Sequence, residues 1–252
     1  MSTMQIEVGI QNFKRGTNIN SIKVPDALRV RVKTGINFVD CSLGGEGFAA
    51  STVMMLTGSP GAGKTTLLMQ MADAITAEGN IALYNSGEES LYQVKMVSER
   101  LDLKNGFYAG QDTMVDKLLA HADVLAKKHP GKKVFILQDS LQTLDDGKWA
   151  AGPNSATTVR CVQALVNWAK KTFNMVIFIG QVTKDGNKFA GKNTILHAVD
   201  VRGHISIDTD EKSDTCGFRL FEISKNRYGS AGIGYALKMG KKGLSEAGSY
   251  TM

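Results

Sequence analysis

Val53-Met54-Met55-Leu56-Thr57 leads into Gly58-Ser59-Pro60-Gly61-Ala62-Gly63-Lys64-Thr65, and from Thr66 the chain continues as Leu67-Leu-Met-Gln-Met-Ala-Asp-Ala-Ile75. An apolar run, a glycine-rich turn and a stretch with helical spacing make strand, loop and helix in that order, the opening unit of an α/β fold. The turn has the spacing G-x-x-x-x-G-K-[ST]. Its glycines let consecutive backbone N–H groups turn inward around a polyphosphate, and the helix N-terminus adds partial positive charge. The pattern therefore assigns Gly58, Ser59, Pro60, Gly61, Ala62, Gly63, Lys64, Thr65 and Thr66 to nucleotide binding. Lys64 would reach the β and γ phosphates of ATP, and the Thr65 hydroxyl would hold Mg2+.

Outward from the loop, short apolar runs at 52–57, 81–85, 134–138 and 175–179 are predicted strands of the kind covered on both faces in a parallel sheet. Between them, Met114, Val115, Leu118, Leu119, Ala122, Leu125 and Ala126 fall on one helical face, with Asp112 as a candidate cap and Pro130 after the end. Val159, Val162, Leu165, Val166 and Ala169 mark a further helix, entered through Pro153-Asn-Ser155. After about residue 199 the pattern changes to 204–208, 218–223 and 233–237, alternating or apolar runs between polar turns, expected as antiparallel strands extending the sheet. The predicted organisation is an arm at 1–30 that packs on a neighbouring subunit, an ATPase domain at 31–240 and a short, polar, mobile tail at 241–252.

Composition narrows the class. Hydrophobic residues make up 42% of the 252, enough for a sizeable core. No apolar run approaches the roughly 20 residues of a membrane span, and the N-terminus lacks an export pattern, so a cytoplasmic protein without a membrane role is expected. Cys41, Cys161 and Cys216 are far apart, with no His at ligand spacing, which argues against a disulfide framework or a zinc site. A formal charge of +6 is compatible with a nucleic-acid partner.

Two acidic positions complete the chemistry that a phosphate loop calls for. Val134-Phe-Ile-Leu-Gln-Asp139 closes an apolar strand on a carboxylate suited to the Mg2+ shell. Leu83-Tyr-Asn-Ser-Gly-Glu88-Glu89-Ser90 places two acids after the strand that follows the loop helix, where a carboxylate can orient or deprotonate the attacking water. Glu88 is assigned that role, and Glu89 is read as a first-turn acid favoured by the helix dipole.

Tyr84-x-Ser86-Gly-Glu-Glu-Ser90, Asp139-Ser140-Leu-Gln-Thr143, Val182-Thr-Lys-Asp-Gly186 and Lys225-Asn-Arg227-Tyr-Gly229 follow one another in that order. With the phosphate loop they resemble the ATPase core of bacterial RadA (Sms), within the RecA superfamily. The stretch Arg31-Val-Lys-Thr-Gly35-Ile-Asn-Phe-Val-Asp40-Cys-Ser-Leu-Gly-Gly45 resembles the segment that precedes the loop there. The resemblance implies a RecA-like P-loop NTPase core, a mostly parallel doubly wound sheet with antiparallel strands at the C-terminal end. It implies Glu88 as the water-activating glutamate, Asp139 as the Mg2+-associated acid and Gln181 as a γ-phosphate sensor. It further implies that Lys225 and Arg227 reach the ATP of the adjacent subunit in a hexameric ring or helical filament. RadA proteins usually carry His where Gln181 stands, so here the chain leans toward RecA and the replicative helicases. The zinc module and Lon-like domain of RadA have no counterpart, as expected of a virus-encoded or otherwise minimal relative acting in a bacterial cytoplasm.

In that superfamily two loops contact DNA. The matching segments are 145–154, with Lys148 and Trp149, and 184–193, with Lys184, Lys188, Phe189 and Lys192. Lysines that offset phosphate charge, beside aromatics that stack on bases, suit single-stranded or branched DNA. The expected function is a DNA-dependent ATPase of recombination and repair. A DnaB-type helicase motor and a KaiC-like regulatory ATP-binding protein without a DNA role stand as alternatives.

Overall fold

The computed structural model describes residues 16–148, 152, 154–181 and 193–251. Its centre is a nine-stranded sheet in the order β11-β10-β9-β8-β3-β7-β6-β4-β5. β3 (Val53–Gly58), β4 (Ile81–Ser86), β5 (Tyr108–Gly110), β6 (Val134–Asp139), β7 (Met175–Ile179) and β8 (Val201–Ile207) run parallel. β9 (Arg219–Asn226), β10 (Ile233–Gly240) and β11 (Gly243–Thr251) continue the sheet antiparallel. A separate two-stranded pair, β1 (Arg31–Val32) and β2 (Phe48–Ala49), brackets the short helix α2 (Asn37–Ser42), and α1 (Asp26–Arg29) precedes it.

Helices cover both faces, which is why the central strands read as unbroken apolar runs. Side chains along a strand alternate between faces. Met54 and Leu56 of β3 therefore join Leu67, Leu68, Met71 and Ile75 of α3 (Lys64–Ala77) and Val94 of α4 (Leu91–Arg100) in one core. Val53 and Met55 point the other way, into a second core. It is built from Leu118 and Leu125 of α5 (Val115–Lys128), Val162, Leu165 and Val166 of α6 (Ser155–Thr172), and Ile195 of α7 (Asn193–Ala198). Because the parallel strands share one direction, the loops after β3, β4, β6 and β7 emerge at a single edge, where α/β sheets build their sites.

Two local expectations are corrected. Asp112 does not cap α5: the N-cap is Met114, and the Asp112 carboxylate lies 3.3 Å from His121 Nδ1 while its backbone N–H bonds Asn85 Oδ1 at 2.9 Å. The stretch 243–251, expected within a mobile tail, is the edge strand β11, paired with β10 from Ile233↔Thr251 to Gly240↔Gly243. Gln70 of α3 clamps its start, accepting from Leu244 N at 2.9 Å and donating to Leu244 O at 3.1 Å. Leu244 is buried and most of the strand beyond it is exposed, so β11 has the polar composition of a solvated edge.

Candidate nucleotide-binding site

Gly63 ends the phosphate loop as the N-cap of α3 at φ +106°, a conformation suited to glycine, and a Cβ there would stand 2.7 Å from Met239 Cε. No side chain caps this helix end, so the N–H groups of its first turn are directed to the loop side, as anion binding at a helix N-terminus requires. Lys64 lies across the loop with Nζ donating to the carbonyls of Gly58 (2.9 Å) and Ser59 (3.0 Å). Burial pulls its ammonium pKa below the ordinary range, and the Asp139 and Glu88 carboxylates oppose that shift.

Asp139, at the carboxyl end of β6, meets the loop directly: Thr65 Oγ1 donates to Asp139 Oδ2 at 2.6 Å, and Tyr84 OH to the same oxygen at 3.1 Å. Burial pushes the Asp139 carboxyl up, assisted by Glu88 and opposed by those two hydroxyls and Lys64. Burial likewise raises the Tyr84 phenol far above its usual range, keeping it a hydrogen-bond donor. Glu88 accepts a 2.7 Å bond on Oε1 from Ser140 Oγ. Glu89 is not a first-turn acid. Ser90 is the N-cap of α4, in a capping box with Gln93, and Glu89 precedes it. Its Oε2 is buried with no hydrogen-bond partner, and its carboxyl is pushed up by burial and by the charges of Asp139 and Glu88.

Glu89 thus feels the charges of Asp139 and Glu88, and Asp139 those of Glu88 and Lys64. An orphaned carboxylate oxygen in an acidic surrounding, beside a hydroxyl–carboxylate pair, fits a divalent cation. Among the described residues no three acids, histidines or cysteines converge into a cage. That also suits Mg2+, which keeps few protein ligands and completes its octahedron with phosphate oxygens and water.

Gln181 stands exposed immediately after β7 at the same sheet edge, where Gly180 N bonds Leu56 O at 2.9 Å. Lys225 and Arg227 do not join this cluster. β9 runs antiparallel, so its end lies beside Val201 and the start of β3. Gly58 is roughly 16 Å further along that strand at about 3.3 Å per residue. Lys225 Nζ donates to the carbonyls of Leu196 (3.0 Å) and Val199 (2.7 Å), and Arg227 Nη1 to Asp200 Oδ1 (2.9 Å), with the Arg227 side chain 46% exposed. Asp200 is fully buried and also accepts from Val53 N (3.0 Å) and Lys170 Nζ (2.6 Å). It therefore ties the 225–229 turn to the first residue of β3.

Of the candidate DNA residues, Lys148 is exposed at the end of a well-bonded segment. Trp149, Lys184, Lys188, Phe189 and Lys192 lie outside the described residues. Tyr84, Ser140 and Asp200 are polar partners to which the sequence reading gave no role. The first two sit inside the quoted motifs, whereas Asp200 is a lone acid after an apolar stretch whose partners are distant in sequence.

No protein-family model matches the chain. It is similar to the DNA repair protein RadA of Bacillus subtilis (strain 168), 30% identical over 239 residues, covering 94% of this chain and 49% of that protein. The chain thus spans about half the length of this curated relative. Among solved structures, an isolated ATPase domain superposes with a TM-score of 0.75 at 14% identity, covering 89% of this chain and 94% of that one. A DnaB-like replicative helicase does so at 0.74 and 14%, covering 84% and 61%. At that identity the two structures speak for the fold alone. Motif order, the joined Thr65–Asp139 pair and the RadA relatives together support a RadA-like core, built on the fold that the two solved ATPase structures share.

Proposed function

We propose that the chain is a DNA-dependent ATPase that assembles head to tail, each ATP gripped by one protomer and completed by its neighbour. The observation that carries this reading is the placement of the phosphate loop and the Lys225–Arg227 turn at opposite ends of β3. A partly exposed guanidinium that cannot serve its own pocket is suited to serve another, and heterologous contacts of that kind produce rings or filaments.

In the pocket, the bare first turn of α3 and Lys64 would bind the phosphates, and Thr65 and Asp139 would hold Mg2+. Bound there, Mg2+ would neutralise charge on the phosphate oxygens. Glu88, with Oε1 engaged by Ser140, would turn Oε2 toward the attacking water and accept its proton. Lys225 and Arg227 of an adjoining protomer would stabilise charge gathering on the γ-phosphoryl oxygens. The repair-protein name of the relatives supports DNA as the partner, with strand exchange or branch migration as the output. Gln181 favours a second reading, a DnaB-type motor that unwinds duplexes, and strand-displacement assays separate the two. Lys64→Ala should abolish ATP turnover stimulated by single-stranded DNA. Full retention of that activity would refute the assignment.

A further inference from the structure

Asp200 has no exposed surface, yet two cations share its carboxylate. Oδ1 accepts from Arg227 Nη1 (2.9 Å) and Tyr228 OH (3.3 Å), and Oδ2 from Lys170 Nζ (2.6 Å) and Val53 N (3.0 Å). The Asp200 carbonyl accepts from Arg227 N at 3.0 Å, so one residue holds both the backbone and the side chain of Arg227. Tyr228 closes the arrangement. Its hydroxyl accepts from Lys170 Nζ (3.0 Å), its ring centroid lies 5.3 Å from that ammonium, and its carbonyl accepts from Arg31 Nη2 (2.8 Å).

The two cations are not equivalent. Lys170 is 16% exposed and donates also to Ser51 O (3.0 Å), which occupies all of its N–H donors within its own protomer. The Arg227 side chain is 46% exposed and, among the described residues, reaches only Asp200 Oδ1 and the His197 carbonyl, the latter at 3.4 Å. Part of its fork is left for an anion from outside. One carboxylate between two cations leaves a positive charge in surplus, and that surplus stands on the exposed side. Were Arg227 to move onto such an anion, Lys170 would still neutralise Asp200, so no buried charge would be stranded.

We propose that Asp200 is the positioning residue for the half of the site that each protomer lends to its neighbour. It aims Arg227 out of its own protomer, and Lys170 and Tyr228 keep Asp200 compensated while Arg227 engages the adjoining γ-phosphate. The proposal rests on the shared-site reading above and adds to it the residues that prepare the lent half before contact. An arginine already held in place loses less freedom on binding than one that scans its rotamers.

The test is steady-state ATP hydrolysis by the full chain with a homopolymeric single-stranded DNA oligonucleotide, for Asp200→Asn and Tyr228→Phe, alone and in equimolar co-assembled mixtures. Asp200→Asn should lower kcat about tenfold and change the KM for ATP by less than about threefold, because Lys64, Thr65 and Asp139 are untouched. Lower kcat alone does not separate aiming from a defect in the same protomer's pocket, since Asp200 also bonds Val53 at the foot of β3. Mixing does. With Lys64→Ala, which has a failed pocket and an intact turn, the Asp200→Asn pocket meets a sound donor, and about a quarter of wild-type interfaces return. With Arg227→Gln every donor is defective, so the first mixture should be about fivefold faster than the second. Tyr228→Phe removes one hydroxyl and keeps the ring, and it carries the test if Asp200→Asn fails to fold. Its kcat should fall about threefold, and its mixture with Lys64→Ala should be about twice as fast as that with Arg227→Gln. A wild-type kcat in whichever variant carries the test, or a Lys64→Ala mixture no faster than the Arg227→Gln mixture, overturns the proposal and leaves the shared site intact. No recovery when Lys64→Ala itself is mixed with Arg227→Gln removes the shared-site reading, and the proposal with it.

Discussion

His204 of β8 lies beside Thr57, the residue before the phosphate loop, with Nδ1 3.0 Å from Thr57 Oγ1 in a half-buried position. Burial holds its pKa below the ordinary 6.5; Glu222 opposes that shift, and Lys64 and Arg202 add to it. The unfolded chain therefore takes up the proton first as pH falls. Stability contributed by neutral His204 is present above its unfolded value and is lost as pH drops through the lower folded one. Denaturant titrations between about pH 7 and pH 5 should show a shallower loss of stability for His204→Gln than for wild type. Equal slopes would mean that the ring gains its proton in the fold without cost.

At the scale of elements, the β10–β11 hairpin closes over the phosphate-loop helix. Leu244 is 6% exposed and lies with Met239 against the position of Gly63. Leu244→Ala should cost about 2–4 kcal/mol by loss of buried surface and the cavity left behind. Its effect on nucleotide affinity should exceed that of an alanine at exposed Ile233 on the same hairpin, as read by nucleotide titration. This hairpin is also where the sequence was least legible. β3, β4, β6 and β7 were readable because both faces of each are buried, so burial alone dictated apolar residues along their length. In β11 only its first residues touch the core, and the rest obeys solvent. Lys64, Thr65, Asp139 and Glu88 were readable because their partners recur at fixed positions at strand ends. Asp200 was not, since its meaning comes from Val53 and Lys170, 147 and 30 residues away in sequence. Asp112 misled because a cap and a side chain turned toward His121 have the same spelling.

For the molecule as a whole, the separation of the two halves of the proposed site makes hydrolysis testable by mixing. Lys64→Ala lacks a working pocket but offers an intact 225–229 turn, and Arg227→Gln has the converse defect. Each alone should be inactive. Mixed in equal amounts and allowed to exchange, they should regain up to about a quarter of wild-type interfaces, those pairing a glutamine-variant pocket with a lysine-variant donor. Absence of any recovery in a mixture shown by light scattering to co-assemble would count against shared sites.

The location of Asp200 at the foot of β3, with the phosphate loop at its top, has a further result for any array of these chains. An open row of n copies holds n − 1 finished sites, with a pocket left incomplete at one terminus and a cation pair left without a client at the other. Only when the last copy meets the first do the numbers match. Length and closure would then be legible in turnover per chain, before any image of the assembly is taken.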